Sequence, residues 1–259
     1  MSAQRPANAV EHALSAHGQH HNLPRPIAVF ADFDGTIAVE DLGDKLFVEH
    51  GDFAGCYPRL QNGEWNVAQY WRAVCASLAP SVTPAFVRAW AMQQPADEYV
   101  GAFATFCRER AIPLTVVSDG FDAYITIVLE REGLGDVAVR CNTLFDAEGR
   151  VSPTFPGASE SCACFCASCK RNALLASAAP DALVVYIGDG YSDFCAAEHA
   201  DIVFAKHALA AYCTKQRIPH YPYKTFADVL AIFREIVQKK RFKPRYQAVL
   251  KRKQAFEME

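Results

Sequence analysis

Two carboxylates, Asp32 and Asp34, stand two residues apart and are followed by Gly35 and Thr36, directly after the apolar run Ile27-Ala28-Val29-Phe30-Ala31. Acids at this spacing can simply cap turns, or share the work of nucleophile and proton donor, or ligate a hard cation. What decides between these uses is the company they keep. Ser118-Asp119-Gly120-Phe121, Lys170 and Gly188-Asp189-Gly190-Tyr191-Ser192-Asp193 supply a hydroxyl, an ammonium group and further carboxylates. Together such groups provide oxygen ligands for Mg2+ and donors for the oxygens of a phosphoryl group.

These groups can meet only if a sheet brings them to one edge. The run before Asp32 is rich in Ile, Val and Phe and reads as a strand buried on both faces. Pro113 to Val117, ending at Ser118, and Leu183 to Ile187, ending at Gly188-Asp189, read the same way, while Val137 to Cys141 and Ile202 to Ala205 add two strands. Helical spacing fills the intervals. It appears in Tyr99, Phe103, Phe106, Cys107 and Arg110, in Phe121 to Glu132 closed by Gly133, and in Lys170 to Ala179 stopped by Pro180. A last helix opens at Thr225 and Asp228 and carries Val229, Leu230, Ile232, Phe233, Ile236 and Val237 on one face. Strand and helix in alternation predict an α/β fold with a parallel sheet, whose strands end along one edge.

Residues 39–96 have a different texture. They hold all three tryptophans and two helical stripes, Val67, Tyr70, Trp71, Val74, Cys75 and Leu78, then Phe86, Val87, Trp90 and Ala91 after Pro84. This predicts a small helical insert between the first two strands. Asn142 to Ser161, with two prolines and alternating aromatics, reads as a β-hairpin excursion or a long loop.

A chain of 259 residues with 51% apolar composition can bury a large core, as one elaborated domain or a core domain with a small accessory one. The formal charge of −3 argues against a general nucleic-acid-binding surface. No run approaches the roughly 20 apolar residues of a membrane span. Residues 1–26 are polar and His-rich and read as a disordered leader, with a metal-binding tail as the other reading of His12, His17, His20 and His21. Residues 239–259 form a basic tail, ordinarily a solvated helical or frayed end and otherwise a contact for phosphate-rich partners. Ten cysteines without a signal sequence point to reduced thiols in a cytoplasmic protein. Cys162, Cys164, Cys166 and Cys169 cluster ahead of Lys170 and are a structural Zn2+ site, thiols without metal, or a redox switch on Lys170.

Taken in order, Asp32-Phe33-Asp34-Gly35-Thr36, Ser118-Asp119-Gly120-Phe121, Lys170 and Gly188-Asp189-Gly190-Tyr191-Ser192-Asp193 resemble the four motifs of haloacid dehalogenase (HAD) superfamily phosphatases, over about residues 27–225. The helical insert between the first and second motifs is similar to that of subfamily IB, the phosphoserine phosphatase-like group. Within it, Cys141-Asn142 and the loop that follows, the cysteines ahead of Lys170, Ala196-Ala197 and Phe204-Ala205 resemble the methionine-salvage phosphatases acting on 2-hydroxy-3-keto-5-methylthiopentenyl-1-phosphate. The resemblance implies a Rossmannoid core of residues 27–38 and 97–238 around a central parallel sheet, with a C1-type helical cap at 39–96.

It also implies roles. Asp32 is the nucleophile that forms an aspartyl-phosphate, and Asp34 protonates the leaving alkoxide and then activates water. Mg2+ is held by Asp32, Asp189 and the backbone carbonyl of Asp34, with Asp193 in support. Ser118, Gly120 and Lys170 bind the phosphate, with Asp119 beside them, and Asp41 is either a substrate-contacting acid or a helix cap. The implied partner is a small phosphorylated metabolite, an enol or sugar-like phosphate or a phosphoserine- or phosphocholine-type ester, with no nucleic acid or membrane and with the chain a monomer or homodimer. A non-catalytic HAD-like binding protein is the rival from another class, and retention of Asp32 and Asp34 speaks against it. Two departures bear on substrate choice: Asp119 stands where phosphoserine phosphatases have Gly, adding negative charge near the phosphate, and Ser192 stands where Asn often precedes the final Asp.

Overall fold

In a computed structural model of the chain, residues 25–147, 150–159, 166–239 and 243–258 are described. The first strand, β1 (Ile27–Ala31), shows how sequence makes the architecture. Ala28 and Phe30 belong to one buried cluster and Val29 and Ala31 to a second, as the two-residue period of a strand requires when both faces are covered. The same division runs through β5 (Leu183–Gly188), with Val184 and Tyr186 on one side and Leu183, Val185 and Ile187 on the other.

Around these two lie β2 (Leu114–Phe121), β3 (Ala138–Ala147), β4 (Arg150–Thr154), β6 (Ile202–Ala205) and β7 (Tyr221–Pro222). They form one sheet in the order β4-β3-β2-β1-β5-β6-β7, parallel throughout except for the β3–β4 pair. The chain leaves β1 toward β2 and later returns to β5 on its other side, so a crevice opens at the carboxyl ends of β1, β2 and β5. The aromatic stretch after Asn142 is the β-hairpin of the two sequence readings, with Thr143 opposite Thr154 and Ala147 opposite Arg150.

Four helices make up the segment that directly follows β1 in the chain: α1 (Leu42–His50), α2 (Phe53–Gln61), α3 (Val67–Ala76) and α4 (Pro84–Ala91). Each begins where a side chain can satisfy a free amide: Asp41, Asp52, an Asn66–Gln69 capping box, and Thr83 followed by proline in the first turn. The chain leaves for these helices and comes back side by side, with Ala38 bridged antiparallel to Ala96. After them come α5 (Val100–Glu109), α6 (Asp122–Arg131), α7 (Lys170–Ser177), α8 (Phe194–His199), α9 (His207–Lys215), α10 (Phe226–Gln238) and α11 (Tyr246–Met258).

The basic C-terminal segment departs from a solvated end. Arg245, just before α11, donates to the carbonyls of Ala197, Glu198 and Ala200 at 2.7–3.0 Å, and Arg252 pairs with Asp201. Carbonyls at a helix C-terminus have no partner in their own helix, so guanidinium groups are well suited to them. Ala248 and Ala255 of α11 are buried.

Candidate active site

β1 carries Asp32 to the crevice, and the chain then bends back through Gly35 at φ +66°, a conformation that suits glycine. Space requires glycine there as well, because a Cβ would stand 2.5 Å from Asp189 Oδ2. Asp32 Oδ1 accepts the amide of Phe33 and lies 2.7 Å from Lys170 Nζ. Lys170, the first residue of α7, also donates to Ser192 Oγ at 2.8 Å and Asp193 Oδ1 at 2.6 Å. An ammonium group has three donors, so all of them are in use. Burial alone would depress the Lys170 pKa, but Asp193 and Asp32 hold it above the ordinary lysine value.

Asp193 is itself saturated. Tyr186 from β5 donates to its Oδ1 at 2.6 Å, and the amides of Asp189 and Gly190 donate to its Oδ2 at 2.9 Å. With both oxygens accepting hydrogen bonds, it fixes Lys170 and the 189–190 turn, a geometry compatible with the supporting part read from sequence. Asp189 Oδ1 accepts from Thr36 at 2.9 Å.

Asp34 is held from two sides. The first amide of α1, that of Leu42, donates to Oδ1 at 2.9 Å, and the hydroxyls of Ser118 and Tyr124 approach Oδ2 at 3.3 Å each. Ser118 Oγ in turn accepts the amide of Gly120 at 2.9 Å. Burial, then the charge of Asp41, pushes the Asp34 pKa well up. Burial also raises Asp32, aided by Asp193 and opposed by Lys170.

Asp119 has a structural part as well. Its Oδ1 accepts the amides of Ala167 and Ser168 at 2.6 and 2.8 Å, and Asn142 Nδ2 bonds its carbonyl at 2.7 Å. The residue therefore anchors the segment leading into Lys170 and also lines the same cavity. Asp41 caps α1 through Asp44 N at 2.8 Å and lines the cavity too, so both of its readings remain compatible with its position.

That cavity, of about 830 Å³, joins the sheet edge to the insert. Asp32, Asp34, Ser118, Gly120, Lys170 and Asp189 line one side, and Asp41, Asp44, Tyr57, Leu60, Val67, Tyr70 and Trp71 line the other. Carboxylate oxygens of Asp32, Asp189 and Asp193 lie within 4.8 Å of one another, and hard oxygen donors around the space kept open by Gly35 suit a magnesium ion. Among the described residues this is the group of three or more metal-ligating side chains, and Cys166 and Cys169 are not part of one. Cys162 and Cys164 lie outside the described residues, so a structural zinc finds no support.

Residues 29–198 match the haloacid dehalogenase-like hydrolase family. The chain belongs to that family. Among curated relatives, it is 29% identical to a 2-hydroxy-3-keto-5-methylthiopentenyl-1-phosphate phosphatase of Geobacillus kaustophilus, over 80% of this chain and 96% of the other. It is 26% identical to a polyol phosphate phosphatase of Saccharomyces cerevisiae, over 81% and 93%. A phosphoserine phosphatase captured as an analogue of its phospho-aspartyl intermediate shares the fold, with a TM-score of 0.59, 18% identity and coverage of 80% and 99%. Among the described residues no helix is long and apolar enough to cross a membrane.

Sequence reasoning missed Tyr124 and Tyr186, which sit in apolar patterns of α6 and β5 that read as core. Tyr186 is fully buried and Tyr124 equally so, yet each turns its one polar atom to an aspartate of the site.

Proposed function

We propose that the chain is a Mg2+-dependent phosphatase that hydrolyses phosphomonoesters of small metabolites through an aspartyl-phosphate on Asp32. The observation that carries this reading is the meeting of Asp32 and Asp34, in different hydrogen-bonding environments, in the lining of one cavity. Asp32 keeps one oxygen on Lys170 and the Phe33 amide, which orients the other for attack on phosphorus. Asp34, whose pKa is pushed up, arrives protonated and gives its proton to the leaving oxygen; in the second half of the reaction it takes a proton from the attacking water. Lys170 meets a phosphoryl oxygen by exchanging its bond to Ser192, while Asp32 and Asp193 keep it in place. Asp32, Asp189 and the Asp34 carbonyl would hold the Mg2+, which supplies charge neutralisation for the phosphoryl group.

The insert helices α1–α3 close the other side and choose the ester. An enol phosphate of the methionine-salvage type is the first reading, supported by the named activity of the bacterial relatives. A polyol or sugar-like phosphate is the second, supported by Asp41 and Asp44, whose carboxylates suit hydroxyl donors better than a thioether.

Hydrolysis of para-nitrophenyl phosphate with and without Mg2+, beside Asp32→Asn, tests the reaction. Activity should require the metal and fall by at least about a thousandfold in the variant. Unchanged turnover in Asp32→Asn would remove the nucleophile from the proposal. The methylthiopentenyl enol phosphate and a tetritol phosphate, compared by kcat/KM, separate the two substrate readings.

A further inference from the structure

The acid Asp34 is bonded differently at its two oxygens, and the difference identifies which one carries the proton. Oδ1 accepts the Leu42 amide, which can only donate, so the proton of the acid form resides on Oδ2. Oδ2 faces two hydroxyls, of Ser118 and Tyr124. Ser118 has other work at Gly120 and the phosphate. The Phe121 amide meets the Tyr124 hydroxyl oxygen, which leaves the hydroxyl's own hydrogen for Asp34, and the position of the ring is built rather than incidental. A Cβ at Gly120 would lie 2.1 Å from Tyr124 Oη and 2.5 Å from Asp34 Oδ2, and one at Gly43 would lie 3.3 Å from the same Oη. Two glycines from different elements thus leave the channel through which the hydroxyl reaches the acid. The ring is fixed between Phe33 and Phe121.

We propose that Tyr124 is a positioning residue for the acid step: it donates to Asp34 Oδ2 once that oxygen has given up its proton. The inference rests on the phosphatase reading and on Asp34 as its acid. Before transfer Oδ2 carries the proton and aims it at the leaving oxygen. As the P–O bond breaks, that proton passes to the departing alkoxide, and negative charge appears on Oδ2. A neutral hydroxyl already in place then stabilises the new carboxylate, a hydrogen bond stronger after transfer than before. The hydroxyl lies 3.3 Å from Oδ2, within reach to donate to that charge.

The consequence is a dependence on the leaving group. A nitrophenolate departs with little need of a proton, whereas unsubstituted phenolate, a much stronger base, depends on it. We would compare Tyr124→Phe with wild type on para-nitrophenyl phosphate and phenyl phosphate, a pair of nearly equal shape, with Mg2+ present. The expected result is a loss of about tenfold in kcat on phenyl phosphate, less than about twofold on para-nitrophenyl phosphate, and KM nearly unchanged for both. The ratio of the two rates within one preparation is independent of the fraction folded, so partial unfolding of the variant cannot imitate the effect. Equal losses on both esters, or none on either, would overturn the role of Tyr124. Wild-type protein inactive on both would instead overturn the phosphatase reading itself.

Discussion

Asp193 Oδ1 and Lys170 Nζ lie 2.6 Å apart, and both side chains are almost wholly withdrawn from solvent. A cation in such a place is costly to bury unless paired, and Lys170 has a second carboxylate, Asp32, at 2.7 Å. The lysine therefore balances two acids that would otherwise repel one another, and the same ammonium group is the one proposed to meet the phosphoryl oxygens. Stability and catalysis draw on one side chain.

Lys170→Met keeps the length of the side chain and removes its charge. Asp32 and Asp193 then remain buried without a cation, which should cost about 3–5 kcal/mol of stability. Loss of a donor at the phosphoryl group should lower kcat by about a hundred- to a thousandfold. Urea unfolding followed by circular dichroism, with turnover of para-nitrophenyl phosphate under conditions where the variant is folded, measures the two separately. A stable but inactive variant would mean that the pair contributes little to folding.

Gly120→Ala puts a methyl group into the space that Tyr124 Oη and Asp34 Oδ2 already fill. Since Tyr124 is buried and Asp34 is held by the Leu42 amide, Asp34 must shift against its bonds, and a displacement of this order costs about a hundredfold in rate. Combined with Tyr124→Phe, which deletes the atom 2.1 Å away, the alanine should recover part of that loss. Rates of the single and double variants on para-nitrophenyl phosphate check the cycle, and additive losses would contradict the steric account.

Much of the architecture was legible because β1, β2 and β5 are apolar runs that end in the chemistry they carry, and because Pro84 and the Thr225–Asp228 pair mark helix starts by a local rule. The parts that were not legible depend on direction. Asp119 and Asp34 are the same residue type at the same sheet edge, yet one turns to the amides of Ala167 and Ser168 and the other to Leu42, and no spacing rule reveals this. Tyr124 and Tyr186 disappear into hydrophobic periodicity because an aromatic ring satisfies the core while its hydroxyl does something else. The C-terminal basic run reads as solvated because sequence carries no sign of the carbonyls at the end of α8 that Arg245 finds 45 to 48 residues away.

Arg245→Ala removes the group that satisfies carbonyls of Ala197, Glu198 and Ala200. The Ala197 carbonyl keeps the Ala200 amide, and loss of the guanidinium from all three should cost about 2–4 kcal/mol. For a protein of this size the melting temperature should fall by roughly 5–15 °C. Asp193 holds the other end of α8 through its own network, so kcat well below the transition should stay within about twofold of wild type. Differential scanning calorimetry and a rate at low temperature test the pair of outcomes; a collapse of kcat without loss of stability would place Arg245 in the catalytic machinery.

Asp119 offers a test in which pH and stability are linked. Burial lifts its pKa from 3.8 to about 6, against the pull of Ser168 and Ala167 amides, Lys170 and Asn142. An acid whose pKa is higher folded than unfolded contributes stability that is complete below the unfolded value and is lost as pH rises through the folded one. For Asp119 that window runs from 3.8 to about 6, and the loss above it amounts to about 3 kcal/mol at most. Asp119→Asn keeps an acceptor oxygen for the two amides without ever ionising. It should therefore unfold at the same urea concentration as wild type below about pH 4, and at a higher one above about pH 7, with the gap opening between. A gap constant across that range would mean that the carboxyl is ionised in the folded protein throughout. Phosphate affinity supplies the second readout: with the anchoring bonds retained and a negative charge removed from the cavity wall, inhibition by inorganic phosphate should strengthen by a few-fold, about 1 kcal/mol or less.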